Sequence, residues 1–451
     1  MTGPPAHRPS AWRVGWGVLL AALCGPVPAG ALSLDEARAI ALEHRPELRA
    51  ARADERAAAS AADAARAERL PRVDLAVAAM RMDDPAQSLF AKLSQGAVTA
   101  ADMTPGALND PGALTDLSAT VRVTQPLFAG GRIRAGVRAG NAAAAAAAAG
   151  RLEAVAETRA AVTTAYYGQI LAAEALKVAR GARRTARANL ELANDRFEAG
   201  AAVRADLLAA QAHVARMSGR VIDATRDLAL ARATLAAAIG VEELPSDADA
   251  ALPLDAGGEQ SLDALLARAR EARPMVRAAR LAVERARAER DAAAGALWPE
   301  VGLTAAAGEH RPSLGGEGGT VWQTGIRADW RLADGGGRGA RIAVANATLA
   351  KAEAQADQAW LAARTQVTAA HMSRQAALER IQAARLEVDA ATEALRLTRD
   401  RYRAGAALFT ELQEAQDRLA QARLNAISAR HDLAVQEAAL RWAVGDGLEG
   451  G

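Results

Sequence analysis

Apolar residues recur every seven positions at Leu207, Val214, Val221, Leu228 and Leu235, followed three residues later by Ala210, Met217, Ala224, Ala231 and Ala238. The pattern returns at Leu412, Leu419, Ala426, Leu433 and Leu440, followed by Ala415, Ala422, Ala429, Gln436 and Ala443. A heptad sustained this long predicts coiled-coil helices, and small residues in the second register let helix axes approach closely. Upstream of each heptad runs a polar, alanine-rich, proline-free segment, Arg132 to Phe197 and Arg338 to Tyr402. Each has the length for one continuous helix of roughly 100 Å at 1.5 Å per residue. Gly200 and Gly405 punctuate the two long segments, where a glycine ordinarily ends a helix.

Four segments break this texture with a period of two. Val73, Leu75, Val77 and Ala79 share one face of Pro71 to Met80, and Leu117, Ala119, Val121 and Val123 alternate with Ser118, Thr120, Arg122 and Thr124. Val301, Leu303, Ala305 and Ala307 form a third set, and Trp322, Thr324, Ile326, Ala328 and Trp330 a fourth. Strands of about ten residues with one apolar face suit an outer-membrane barrel. Four strands cannot close a barrel, so several chains must pool them to leave no edge open in lipid. Phe128, Trp298, Trp322 and Trp330 lie near the strand ends, where an interfacial aromatic girdle belongs. The same alternation also fits two soluble hairpins capping a helical bundle.

The chain is one unit written twice. Ser33, Arg45 and Leu70-Pro71 recur as Ser261, Arg273 and Trp298-Pro299, 228 positions on (33 to 261). Gly130-Gly131, Arg196, Ala210-Gln211 and Gly240 recur as Gly335-Gly336, Arg401, Ala415-Gln416 and Gly445, 205 positions on (130 to 335). The first copy therefore holds 23 extra residues between Pro71 and Leu127, in a stretch whose Asp-Pro and Pro-Gly pairs read as loop. Its counterpart is the glycine-rich run Gly308 to Gly319. The organisation expected is a signal peptide at 1–31, a first repeat at 32–240, a linker at 241–260, a second repeat at 261–445 and a flexible tail at 446–451.

Composition narrows the picture. Arg8 and Arg13, the apolar run Val14 to Cys24 and Ala29-Gly30-Ala31 have the form of a secretory signal cleaved before Leu32. Cys24, the one cysteine, raises lipid modification as an alternative, although Leu23 precedes it where a small residue is wanted. From Leu32 onward the basic and acidic residues balance, 53 against 53, so nothing marks a nucleic-acid surface. Aromatic residues make up only 3% of the chain, which suits thin close-packed helices rather than a thick globular core.

Enzymatic chemistry has no candidate. His7, His44, His213, His310, His371 and His431 show no metal-ligand spacing, and no thiol nucleophile follows the leader. Gly335-Gly336-Gly337-Arg338 lacks the lysine and hydroxyl of a phosphate loop and reads as a strand-to-helix turn. No catalytic residue, metal site or cofactor is expected.

The ordered, duplicated motifs resemble the outer membrane efflux protein family of TolC-like channels. They are SLDEA at 33–37, RPEL at 45–48, LPRV at 70–73, QPLFAGGR at 125–132, and RFEAG at 196–200 continuing to DLLAAQ at 206–211. The resemblance implies a mainly α fold with a membrane β-barrel. A homotrimer would pool four strands per subunit into a twelve-stranded barrel above a long α-helical coiled-coil tunnel with an equatorial belt. It implies a passive export duct in the outer membrane, extending into the periplasm and docked to a periplasmic adaptor and an inner-membrane pump. Carried over by position, Gly200 and Gly405 become the tunnel-tip turns that contact the adaptor. Asp206, Tyr402, Glu411 and Glu414 become the gate or aperture. Ala407 stands where some relatives place a gate arginine. The competing reading is a periplasmic coiled-coil scaffold without a membrane span. Cargo, whether drugs, metal ions or secreted protein, is not written in the chain.

Overall fold

The computed structural model describes residues 32–248, 251–252, 258 and 260–446. The expected signal peptide at 1–31 with Cys24, the linker residues between these stretches and the tail beyond Asp446 lie outside the described residues.

Each repeat opens with two short helices: α1 (Leu34–His44) and α2 (Pro46–Ala67) in the first, α7 (Leu262–Ala272) and α8 (Pro274–Gly295) in the second. Ser33 caps α1 through Glu36 N–H, and the Glu36 carboxylate accepts from Ser33 N–H at 2.9 Å. Pro46 and Pro274 sit at the first turns of α2 and α8, where a missing N–H costs nothing, and Arg45 and Arg273 before them are extended. In the first repeat follow β1 (Arg72–Met82), α3 (Pro85–Gln95), a 3-10 turn (Ala100–Met103), α4 (Pro105–Asn109), β2 (Leu114–Ala129), α5 (Arg132–Glu198) and α6 (Arg204–Ile239). The second continues with β3 (Glu300–Arg311), β4 (Gly319–Asp329), α9 (Gly337–Arg403) and α10 (Phe409–Val444).

Both long helices have 67 residues, about 100 Å of axis. Every heptad position read from the sequence in α6 and α10 is buried or half-buried. The long helices lie side by side in the order α6, α5, α10, α9. The outer flanks of this layer are uncovered, leaving Ile222 and Leu230 of α6 and Leu386 of α9 exposed by 65–72%. α8 lies against both α5 and α9, whereas its counterpart α2 packs along α5 with its other flank open. Gly130, at φ +59°, approaches the end of α8 so closely that an added Cβ would lie 2.1 Å from the Gly295 carbonyl oxygen. Its repeat counterpart, Gly335, faces open space. Arg273 is fully buried beside Glu153 at 3.6 Å, hydrogen-bonds Gln366 and lies over the Trp442 ring at 4.7 Å, fixing the α7–α8 bend onto α5 and α10.

The sheet is antiparallel in the order β1-β2-β3-β4. Its register aligns the four alternating sets into one face: Leu75 opposes Val121, Val121 opposes Ala307, and Ala307 opposes Trp322. The next row is Val73, Val123, Ala305 and Thr324. The reverse face carries Asp74, Arg122 and Gln323 in one row and Thr124 with Thr304 in another. Trp322 and Trp330 lie eight residues apart, about 26 Å along the strand direction at 3.3 Å per residue. Phe128, Trp298 and Trp330 mark the end joined to the helices, all more than 45% exposed.

Three local expectations change. The extra segment of the first copy is not plain loop, because Asp84 caps α3 through Gln87 N–H at 2.8 Å, Pro85 starts it and Gly96 ends it at φ +67°. Residues that signal turns are serving as helix punctuation. β2 extends past Val123 to Ala129, accommodating Pro126 at a bulge where its missing N–H breaks no ladder. In the second copy β3 extends to Arg311, which confines the turn to 312–318.

The hairpin-ending glycines close against the bends of their own repeats. Gly445 has φ +84°, and a Cβ there would lie 3.0 Å from Arg273 Cα. Gly445→Ala is predicted to cost at least about 1–2 kcal/mol from the left-handed backbone alone. Chemical unfolding followed by the helical signal checks this; an unchanged midpoint contradicts it.

Candidate functional site

The far end of the helical layer, opposite the sheet, consists of two turns built alike. After α5, Gly200 (φ +70°) donates to Phe197 O at 3.0 Å and Ala201 to Arg196 O at 2.8 Å. After α9, Gly405 (φ +76°) donates to Tyr402 O at 3.1 Å and Ala406 to Arg401 O at 2.8 Å. Both satisfy orphan helix carbonyls through a left-handed glycine. A Cβ at Gly200 would touch nothing, and at Gly405 only the tip of Arg196 at 4.0 Å, so both turns present open backbone.

Between the two hairpins lies a packed cluster of Ala193, Ala210, Leu395, Tyr402, Phe409 and Leu412. Arg196 ties the hairpins together: its Nη1 donates to Tyr402 O at 2.8 Å and its guanidinium lies 4.8 Å from the Tyr402 ring centre. The Tyr402 ring rests on Phe409 at 5.7 Å between centroids. The Tyr402 hydroxyl is buried with no hydrogen-bond partner among the described residues. Burial raises its pKa above the ordinary tyrosine value; Arg196 opposes the shift and the Asp206 carboxylate adds to it. Asp206, in the first turn of α6, is half-buried. Tyr402 and Asp206 are thereby brought into one electrostatic neighbourhood.

Glu411 and Glu414 stand on another flank of α10. Glu411 accepts from Leu408 N–H at 3.3 Å, a helix-start role, and lies 3.6 Å from Arg401. Glu414 pairs with Arg418 at 3.3 Å. With Glu387, Ala391 and Thr398 they line a groove of about 550 Å³ between α9 and α10. Ala407 packs half-buried against the tip cluster and supplies no cation.

Sequence reading missed Arg196 as a connector, although its place in the duplicated motif opposite Arg401 was the available signal. It also missed the α6–α10 contacts above the tip. Gln413 Nε2 donates to Ala209 O at 3.1 Å, and Arg220 pairs with Asp417 at 3.1 Å. His213, only 2% exposed, has Nδ1 3.2 Å from Arg216.

The model of the outer membrane efflux protein family matches residues 38–241 and 265–446. Among solved structures, the outer membrane protein VceC of Vibrio cholerae is 22% identical, with 92% of this chain and 97% of that chain covered and a TM-score of 0.79. The MtrE outer membrane channel of Neisseria gonorrhoeae, in its open state, is 24% identical over 92% and 89%, with a TM-score of 0.76. The outer-membrane channel OprN is 23% identical over 92% and 91%, with a TM-score of 0.79. A comparison with curated proteins returns no match.

Burial lowers the His213 pKa below the ordinary imidazole value of 6.5; Asp417 opposes the shift, and Arg216 and Arg220 reinforce it. A proton therefore costs more in the folded hairpin than in the unfolded chain. Stability from this site is complete above pH 6.5 and declines as pH falls below that value. Thermal melts across this range should show a decline that His213→Gln removes; parallel profiles for the two proteins would contradict it.

Proposed function

The chain belongs to the outer membrane efflux protein family, and from that membership we propose that it is the channel subunit of a tripartite efflux or type I secretion system. It acts as a passive duct, leading from the periplasm through the outer membrane to the exterior. A periplasmic adaptor and an inner-membrane pump supply selection and energy. The observation that carries this reading is the sheet: one apolar, largely exposed face, one polar face and two unpaired edges, continuous with two helical hairpins about 100 Å long. No helix among the described residues is long and apolar enough to cross a membrane. A periplasmic scaffold would leave Leu75, Val77, Trp322 and Ile326, each 68–78% exposed, in water.

Repeat asymmetry supports ring assembly. Among the described residues, Gly130 receives the end of α8, whereas Gly335 receives nothing. By the repeat offset, Gly295 corresponds to Ala67, so the next copy's α2 fits Gly335 and the next copy's α6 fits the open flank of α9. Such a contact joins unlike faces and closes when the copies return on themselves. With the family, we take that number as three. The same closure pairs β4 of one copy with β1 of the next, giving twelve strands and no edge in lipid.

In this reading Gly200 and Gly405 dock the adaptor, and Asp206, Tyr402, Glu411 and Glu414 form the gate and aperture. Widening requires the Arg196 bridge between hairpins to break. Gly200→Trp with Gly405→Trp should abolish export while membrane insertion persists; normal export would remove the tips from docking. In planar bilayers the pore should be cation-selective and blocked by multivalent cations from the periplasmic side. Both effects should weaken in Glu411→Ala with Glu414→Ala, and unchanged selectivity and block would return these residues to capping α10.

A further inference from the structure

The extra segment of the first repeat stands where the second has only the short turn at 312–318, and its place in the fold is specific. The buried face of α3 carries Ser88, Ala91 and Gln95. Gln95 Nε2 donates to Thr115 O at 3.0 Å and to Asp116 Oδ1 at 2.9 Å, and Asp116 Oδ2 lies 2.9 Å from His310 Nδ1. Gln95 and Asp116 are 4% and 7% exposed, so this contact is sealed from solvent. Gly319 at the start of β4 comes so near that an added Cβ would lie 2.1 Å from Ser94 O. The 3-10 turn is clasped to the same helix, with Lys92 Nζ 2.6 Å from Asp102 and Thr99 donating to that carboxylate from N–H and hydroxyl at 2.8 and 2.7 Å.

Two facts fix the direction of this packing. Ser118 and His310, paired across β2 and β3, lie on the sheet's polar face, as does Asp116 two residues before Ser118. Leu114 to Asp116, His310 and Gly319 also stand at the strand ends farthest from α5 and α9. α3 is therefore held on the polar side at the outer end of the sheet. Its opposite face is apolar and open: Phe90 is 67% exposed, Leu93 53%, and Met103 of the adjoining turn 58%.

We propose that this segment is a constriction of the outer mouth, in which Phe90 and Leu93 of one copy meet the same residues of the other two on the pore axis. The inference rests on the trimeric channel reading, in which the polar face lines the lumen. Twelve strands at about 4.8 Å spacing and a tilt near 40° enclose a backbone cylinder about 24 Å across. Three helices, each about 10 Å in diameter, fill such a ring and cannot avoid one another. The occupant of each α3 face is thus the α3 of a second copy.

The test uses the full chain reconstituted in planar bilayers. Because Phe90 and Leu93 are exposed in the subunit, Phe90→Ser with Leu93→Ser leaves folding intact, and it should raise unitary conductance about two-fold or more. Phe90→Cys, in a chain processed ahead of Leu32, should cross-link copies in pairs under copper-phenanthroline oxidation. A trimeric pore whose conductance is unchanged in the serine variant overturns the constriction. Raised conductance without cross-linking overturns the meeting of copies on the axis. Failure to find any trimeric pore in the unaltered protein overturns the channel reading beneath both.

Discussion

The unpaired backbone of β1 and β4 sets the terms for the whole molecule. A sheet with one apolar face gains by leaving water, but its edge N–H and C=O groups lose several kcal/mol each if they enter lipid without partners. One chain cannot satisfy both demands with four strands. Repetition of the chain can, and the fold is arranged for it. The sheet sits at one end of a layer of long helices, and the same ordering that leaves β1 and β4 open leaves the flanks of α6 and α9 open. In the proposed ring, barrel closure and tunnel closure are one event.

Duplication explains how a single chain encodes that event. Two copies of one unit make a contact inside the chain: α8 in the α5–α9 groove, the end of α8 on Gly130, and Arg273 buried beneath Trp442. In the proposed ring, the contact between chains is the same contact with one partner supplied from outside. The copies differ where the assembly has distinct tasks. The first carries the α3 segment at the outer end, and the second buries an arginine where the first leaves Arg45 paired with Glu47 near the surface.

Much of the fold was legible because its periods are strict. The heptad of α6 and α10 marks buried positions along each helix, since a helix packed on one neighbour over this length repeats its contacts every two turns. Strand alternation was legible because one apolar face and one polar face impose a period of two. The α3 segment was illegible for a physical reason. Asp84, Pro85 and Gly96 are as suited to capping an eleven-residue helix as to forming turns, and the buried Gln95–Asp116–His310 contact that selects the helix joins residues far apart in sequence. The tip was partly legible. Gly200 and Gly405 stand where the motif put them, but an acid at position 411 is favoured equally by a helix start and by an aperture. Only the structure reveals that Glu411 holds the Leu408 N–H and that Arg196 spans the hairpins.

The central claim is that the sheet closes only by being shared, and the mass of the detergent-solubilised protein tests it most directly. Light scattering with the detergent contribution subtracted should give three times the mass of one processed chain, with the strand signal present in the same particle. A monodisperse single chain that keeps its strand signal would contradict the account, because its two sheet edges would then be stable without partners.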